Sequence, residues 1–316
     1  MNLLKRAIRL FLFVATMVAA TMVGMALFLY RQMIRPERQP IWATPLDAGM
    51  PFEDIEFPAR DGLRLSGWFI PAQGTSKGTV VLVHGWTWNR LGEGADHLLA
   101  NMVGGRPVDL LRMAHALHTA GYAVLSYDTR NHGLSAGNSG VTFGMKEAED
   151  LLGAMDYLLG REDVDPAKLA AVGFSMGGNT VLYGLARTGL FQAAVAVQPV
   201  SPEFFGNRFA QDVLGPFGQP ILRLAETFYQ QSVGTPIGAI EPLFAAAGAG
   251  DTPVLYIQGE GDRWGGVSNV AHMASVTPHA TGPLLVPSEE RYGGYRYAVS
   301  HPELIIDFLD KQLADD

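Results

Sequence analysis

The chain has 316 residues, 48% of them hydrophobic and 17% charged, enough for one large α/β domain with a substantial core or two small domains. It contains no cysteine, which excludes disulfides and thiolate metal sites and leaves the redox compartment open. Six of the 23 basic residues and one of the 31 acidic ones lie in residues 1–38, leaving 17 and 30, a net −13, for residues 39–316. A body that acidic repels a phosphate backbone and argues against a nucleic-acid partner.

The first element is LFLFVATMVAATMVGMALFLY, Leu10 to Tyr30, 21 residues without a charge. At about 1.5 Å per residue a helix of this length crosses a hydrocarbon core of about 30 Å. Residues 1–9 form a basic tail with Lys5, Arg6 and Arg9, and Arg31 and Arg35 flank the other end. Gly24-Met25-Ala26 admits a signal-peptidase reading, but the apolar run continues past it, so residues 10–30 are read as an uncleaved transmembrane helix. The flanking charges lean towards an inside N-terminus and an extracytoplasmic body. Ala15/Ala19 and Ala20/Gly24 have the spacing of helix-pairing motifs.

Residues 31–50 read as a linker, and residues 51–316 as the folded domain. In FEDIEFPARDGLRLSGWFIP two alternating runs flank Arg60-Asp61-Gly62, which predicts an antiparallel hairpin. From Thr79 the pattern becomes strand, helix, strand: TVVLV, then VDLLRMAHALHTAGY, YAVLSYD, GMKEAEDLLGAMDYLLG, LAAVGF, SMGGNTVLYGLART and AAVAVQ. After an interruption come TPVLYIQGEGD, a helix near residues 267–276, GPLLVP and HPELIIDFLDKQL. Such alternation predicts an α/β fold, a mostly parallel sheet with helices on both faces. The interruption, about residues 199–247, carries Phe204, Phe205, Phe209, Phe217, Phe228 and Tyr229 and reads as a short lid over an apolar pocket.

Gly173-Phe174-Ser175-Met176-Gly177 ends a strand and opens a helix, the setting the G-x-S-x-G motif requires. The turn is so tight that the residues two before and two after Ser175 must lack side chains. Its place at a helix N-terminus favours developing negative charge. With His84-Gly85-Trp86, Asp128-Thr129-Arg130-Asn131-His132-Gly133-Leu134-Ser135 and Gly259-Glu260-Gly261-Asp262 at other strand ends, residues 50–313 resemble the α/β-hydrolase family, particularly its esterases, acyl hydrolases and serine aminopeptidase-like members.

That resemblance implies a serine hydrolase acting on a small-molecule acyl substrate, with no cofactor and no metal. It implies Ser175 as nucleophile, backbone N–H groups of Trp86 and Met176 as oxyanion hole, and Asp262 as the acid, with Glu260 as a substitute. It casts His84 and His132 as loop-shaping residues. The base must follow the last strand in the family's order of serine, acid, histidine. His84, His97, His115, His118 and His132 precede Ser175. His272 lies within a helix and His279 at the opposite end of the sheet. His301 is therefore assigned as the base. It stands late in PSEERYGGYRYAVSHPE, Arg291 occupies the usual offset, and Ser300 with Glu303 reads as a capping box that would put His301 in a first helical turn. The alternative is a binding protein of the same fold whose base is missing. Oligomeric state is left open.

Overall fold

The N-terminal apolar stretch forms a longer helix than its uncharged run alone predicts: α1 spans Asn2–Ile34 in the computed structural model, which describes residues 2–94, 106–138 and 140–314. Residues 3–21 are exposed on every side. From Met22 onward one stripe (Met22, Met25, Ala26, Leu29, Tyr30, Met33) turns inward at helical spacing and packs on the lid. The close approach is made at Ala26, not at the small-residue pairs named above; Gly24 has nothing within 4 Å of where a Cβ would stand.

The stretch expected as a linker is tied down. Arg38 donates to the carbonyls of Gly133 and Ser135 at 2.7 and 2.6 Å. The Gln39 amide donates to the Thr87 carbonyl at 2.8 Å and to the Glu93 carboxyl at 2.6 Å. Burial pushes the Glu93 carboxyl up to about 7, although these hydrogen bonds pull the other way.

The hairpin forms as expected, β1 (Glu53–Pro58) antiparallel to β2 (Arg64–Ile70). Next come β3 (Thr79–Val83), a two-residue pair β4 (Gly92–Glu93) and β5 (Val108–Asp109), helix α2 (Leu110–Thr119), β6 (Ala123–Tyr127), α3 (Glu147–Leu159), β7 (Leu169–Phe174), α4 (Met176–Leu185) and β8 (Ala193–Val197). The lid follows as α5 (Pro202–Leu214), α6 (Gly218–Val233) and the short α7 (Pro242–Ala247). Then come β9 (Val254–Gly259), α8 (Val267–Val276), β10 (Ala280–Val286), α9 (Arg291–Ser300) and α10 (Glu303–Leu313). The eight-stranded sheet has the order β1-β2-β6-β3-β7-β8-β9-β10 and is parallel from β6 to β10.

Alternation along the strands divides the core between two faces. Val81, Val83 and Ala171 point to the layer of α3, α4 and α8, while Val80, Leu82 and Val172 point to that of α2, α9 and α10. The strands are apolar throughout because both faces are covered. The expected site segments leave the carboxyl ends of β3, β6, β7, β9 and β10.

Two expectations fail between β10 and the last helix. The stretch expected as a loop contains α9, started by the Glu290 carboxylate, which accepts from the Tyr292 N–H at 2.6 Å. Ser300 is the last residue of α9 and Pro302 caps α10, so the Ser300/Glu303 capping box does not form.

Candidate active site

Ser175 sits at φ 55°, ψ −117°, the left-handed region that non-glycine residues avoid. The strain is held by its neighbours. The Ser175 N–H donates to the Val197 carbonyl at 2.9 Å. A Cβ on Gly173 would stand 2.1 Å from the Gly177 carbonyl oxygen, and one on Gly177 2.2 Å from that of Val83. Both glycines are therefore obligatory. Such a conformation costs on the order of 1–3 kcal/mol and persists only where the surroundings enforce it. Met176 opens α4, and its N–H belongs to the first turn, which has no intrahelical partner. Trp86 and Met176 both line the cleft above Ser175.

Asp262 is buried and accepts from the Trp264 and Gly265 N–H groups at 3.0 and 2.8 Å. Glu260, two residues earlier, is exposed. The group between Asp262 and Ser175 is a guanidinium. Arg291 Nη1 lies 2.5 Å from Asp262 Oδ2, and its Nη2 donates to Ser175 Oγ at 3.2 Å and to the Gln198 carbonyl at 2.9 Å. Burial alone would lower the Arg291 pKa; Asp262 outweighs it and holds the charge above its ordinary strength.

Gln198 and Tyr295 complete the arrangement, and neither was expected from the sequence. The Gln198 amide donates to the Arg291 carbonyl at 2.8 Å and accepts from the Gly259 N–H at 3.1 Å, tying the start of α9 to β8 and β9. The ring of Tyr295 lies beneath the guanidinium, 5.2 Å from its carbon, and Phe205 of the lid is 5.5 Å from it. Burial raises the pKa of Tyr295, so its phenol stays protonated.

His301 is placed outside this cluster. Its ring stacks on Tyr297 with centroids 3.9 Å apart, and its Nδ1 is 3.0 Å from the Tyr297 carbonyl oxygen. It joins two helices instead of facing Ser175. His84 and His132 do shape loops: His84 Nδ1 lies 2.8 Å from the Gly85 carbonyl oxygen and its Nε2 accepts from the Thr129 N–H at 2.9 Å. His132 Nδ1 is 2.8 Å from the Arg130 carbonyl oxygen. Burial keeps both neutral, pushing His132 down to about 3. His115, His272 and His279 are exposed, His118 is buried against Gln73, and His97 lies outside the described residues.

The cleft encloses about 1180 Å³, including its open mouth. Its walls are apolar: Phe143, Val200, Phe205, Phe209, Leu222 and Trp264. Trp264 also donates to Asp212 of α5 at 3.1 Å, so the loop that presents Asp262 is fastened to the lid. Glu226 of α6 lines the far side, its carboxyl held above the usual range by burial and by Glu203. Among the described residues, the lining atoms Trp86 Nε1 and Gln32 Oε1 are buried without a hydrogen-bond partner, and Tyr295 Oη has only Ser175 and Arg291 within reach.

The polarity around Ser175 is the reverse of a nucleophile's. A general base must accept the serine proton; a guanidinium carries only donors and keeps its charge at any pH a protein survives. Because Arg291 donates to Oγ, the Ser175 proton must point elsewhere. The Tyr295 phenol is within reach of it.

The family model for the alpha/beta hydrolase family matches residues 80–306. Among curated proteins, the uncharacterised protein Rv2307c of Mycobacterium tuberculosis is 32% identical over 179 residues, 55% of this chain and 56% of that protein. The polyketide transferase af380 of Aspergillus fumigatus is 27% identical over 165 residues, 51% of this chain and 50% of its own. The match thus spans about half the length of these curated relatives. Among solved structures, the Pyrococcus furiosus esterase Pf2001 superposes with a TM-score of 0.66 at 24% identity, covering 89% of this chain and 100% of the esterase. The Pyrococcus horikoshii acylaminoacyl peptidase gives 0.58 at 17% identity, covering 84% of this chain and 42% of the peptidase. At these identities the structural likeness is one of fold.

Proposed function

We propose that this chain, which belongs to the alpha/beta hydrolase family, uses its hydrolase-type cleft to bind an acyl ligand whose head offers oxygen acceptors, a fatty carboxylate or its ester, without triad-type turnover. One observation carries the reading: Arg291 bridges Asp262 and Ser175 where the family's mechanism needs an imidazole. The residues lining the cleft at this end carry donors: the Ser175 hydroxyl, the Trp86 indole, the Tyr295 phenol and, at the expected oxyanion hole, the N–H groups of Trp86 and Met176. Oxygen acceptors satisfy them. The apolar lid accepts the chain, and α1 anchors the protein to a membrane, with the body on the extracytoplasmic side that the flanking charges favour.

Calorimetry with a medium-chain fatty acid, its methyl ester and the alkylamine of equal length tests this. The acid and ester are expected to bind at least about tenfold more tightly than the amine, and Ser175→Ala to weaken them about fivefold, the worth of one hydrogen bond. Equal binding of the amine, or no binding of any of the three, overturns the reading.

A second reading, ester cleavage through Ser175, draws support from the strained elbow, which a passive ligand contact does not require. It needs a proton acceptor beside Ser175. Among the described residues the neighbouring titratable groups are Arg291 and Tyr295, and both are held protonated.

A further inference from the structure

We infer that the bilayer itself supplies the ligand, and that the anchor helix is one wall of the route: a single-chain acyl lipid bearing a carboxylate or ester head enters the cleft sideways, along the seam between α1 and the lid. The inference rests on the ligand class proposed above and adds its source and its path.

Helix α1 changes partner along its length. Residues 3–21 are exposed all round, with Leu10, Phe11 and Phe13 exposed by 65%, 72% and 64%. At 1.5 Å per residue the uncharged part of that stretch, Leu10 to Thr21, measures about 18 Å, and the exposed apolar face approaches the hydrocarbon thickness of a bilayer by continuing along Val23 and Leu27. Lys5, Arg6 and Arg9 lie in its N-terminal turns, where long basic side chains reach the headgroups.

The apolar run continues to Tyr30, and there one stripe faces protein while Val23 and Leu27 stay exposed by 42% and 46%. Met22, Met25, Leu29 and Tyr30 pack on Leu214, Ile221, Leu224, Ala225 and Phe228 of the lid. The Tyr30 hydroxyl is hydrogen-bonded to that of Ser232, and its ring meets Phe228 edge-on at 5.9 Å. One turn on, Leu29, Gln32 and Met33 line the same cleft as Ser175 and Arg291. A single helix therefore runs from a face with no protein partner to the wall of the ligand cleft, within about two turns.

Two further features fit a lipid that slides in from this side. Phe217, at the turn between the two long lid helices, is 55% exposed and is available to the interface that α1 enters. Gln32 Oε1 is buried without a protein partner on the anchor side of the cleft. It is an acceptor, and a hydroxyl on the lipid, as in a monoacylglycerol, would satisfy it.

The test uses full-length protein in phosphatidylcholine nanodiscs and two diazirine probes: a long-chain fatty acid dissolved in the bilayer and a short-chain, water-soluble analogue. Cross-linked peptides are read by mass spectrometry for wild type and for Met25→Trp, a seam residue that does not line the cleft. The long-chain probe is expected to label residues 22–34, the lid and the Ser175 peptide. In Met25→Trp its labelling of the Ser175 peptide is expected to fall at least about tenfold, while labelling by the short-chain probe changes less than about threefold. If Met25→Trp leaves long-chain labelling unchanged, or reduces both probes equally, the lateral route is wrong and the ligand class stands. If neither probe labels the cleft, the ligand class falls with it.

Discussion

Adding imidazole to the Arg291→Ala variant is expected to raise ester hydrolysis well above that of the wild-type protein. Removing the arginine side chain opens a slot between Ser175 and Asp262 that an imidazole from solution fits. A ring nitrogen there can accept the Ser175 proton while the other donates to Asp262, which already accepts from two backbone N–H groups. General-base catalysis contributes about 10²–10⁴-fold, so a gain on the order of 10²-fold, saturable in imidazole, is the expected result with a short-chain aryl ester. The same gain should be absent in Arg291→Ala/Ser175→Ala. Substituting histidine at position 291 is a weaker version of the test, because its side chain is shorter than arginine's and its ring stops short of Ser175. The absence of any imidazole-dependent gain in a folded Arg291→Ala protein would show that the site lacks more than a base.

Neutralising Asp262 is expected to be among the most destabilising single changes in the domain. Asp262→Asn keeps the Oδ1 acceptor that Trp264 and Gly265 bond to, but replaces the Oδ2 that accepts from Arg291 and Gln258 with an amide donor. It leaves Arg291 buried with its cation unpaired. Breaking a buried pair from one side typically costs about 3–5 kcal/mol, because the remaining charge has lost its solvent and its partner together. For a domain of this size that corresponds to a fall in melting temperature on the order of 10 °C. The double variant Asp262→Asn/Arg291→Gln removes both charges and should recover more than half of the loss. Thermal unfolding of the three proteins measures this directly. If Asp262→Asn is neutral, or the double variant is worse than additive, the Arg291–Asp262 pair is not what holds the start of α9. Domains commonly have about 5–15 kcal/mol in hand, so the single variants remain foldable for the imidazole experiment.

The parts of the fold legible from sequence are those governed by local physics. Strands buried on both faces are continuous apolar runs, and the elbow around Ser175 leaves two glycines that a Cβ would drive into backbone oxygens. The acidic loop after β9 follows from chain order. What was not legible lies where side chains from distant segments meet. Helix α9 was hidden because RYGGYRYAVS has two glycines and no clear apolar stripe; Gly294 is there because a Cβ would stand 2.3 Å from the Gln198 amide oxygen. Once that segment is a helix beginning at Arg291, His301 is carried to its far end, ten residues on, and cannot serve Ser175. Gln198 gave no sign of its role, since its contacts are to the backbone of β9 and α9. Residues 22–30 read as membrane span for a related reason: a face packed on an apolar lid and a face in lipid have the same composition.

The central claim is that a guanidinium stands where the hydrolytic mechanism needs a base. It is tested most directly by Ser175-dependent hydrolysis of a short-chain aryl ester by the unmodified full-length protein, measured from about pH 6 to about pH 9. Rates within about tenfold of the Ser175→Ala variant are expected at every pH, with no rise through the titration range of an imidazole. Turnover at or above about 1 s⁻¹, the lower end of ordinary enzyme rates, that disappears in Ser175→Ala would contradict it.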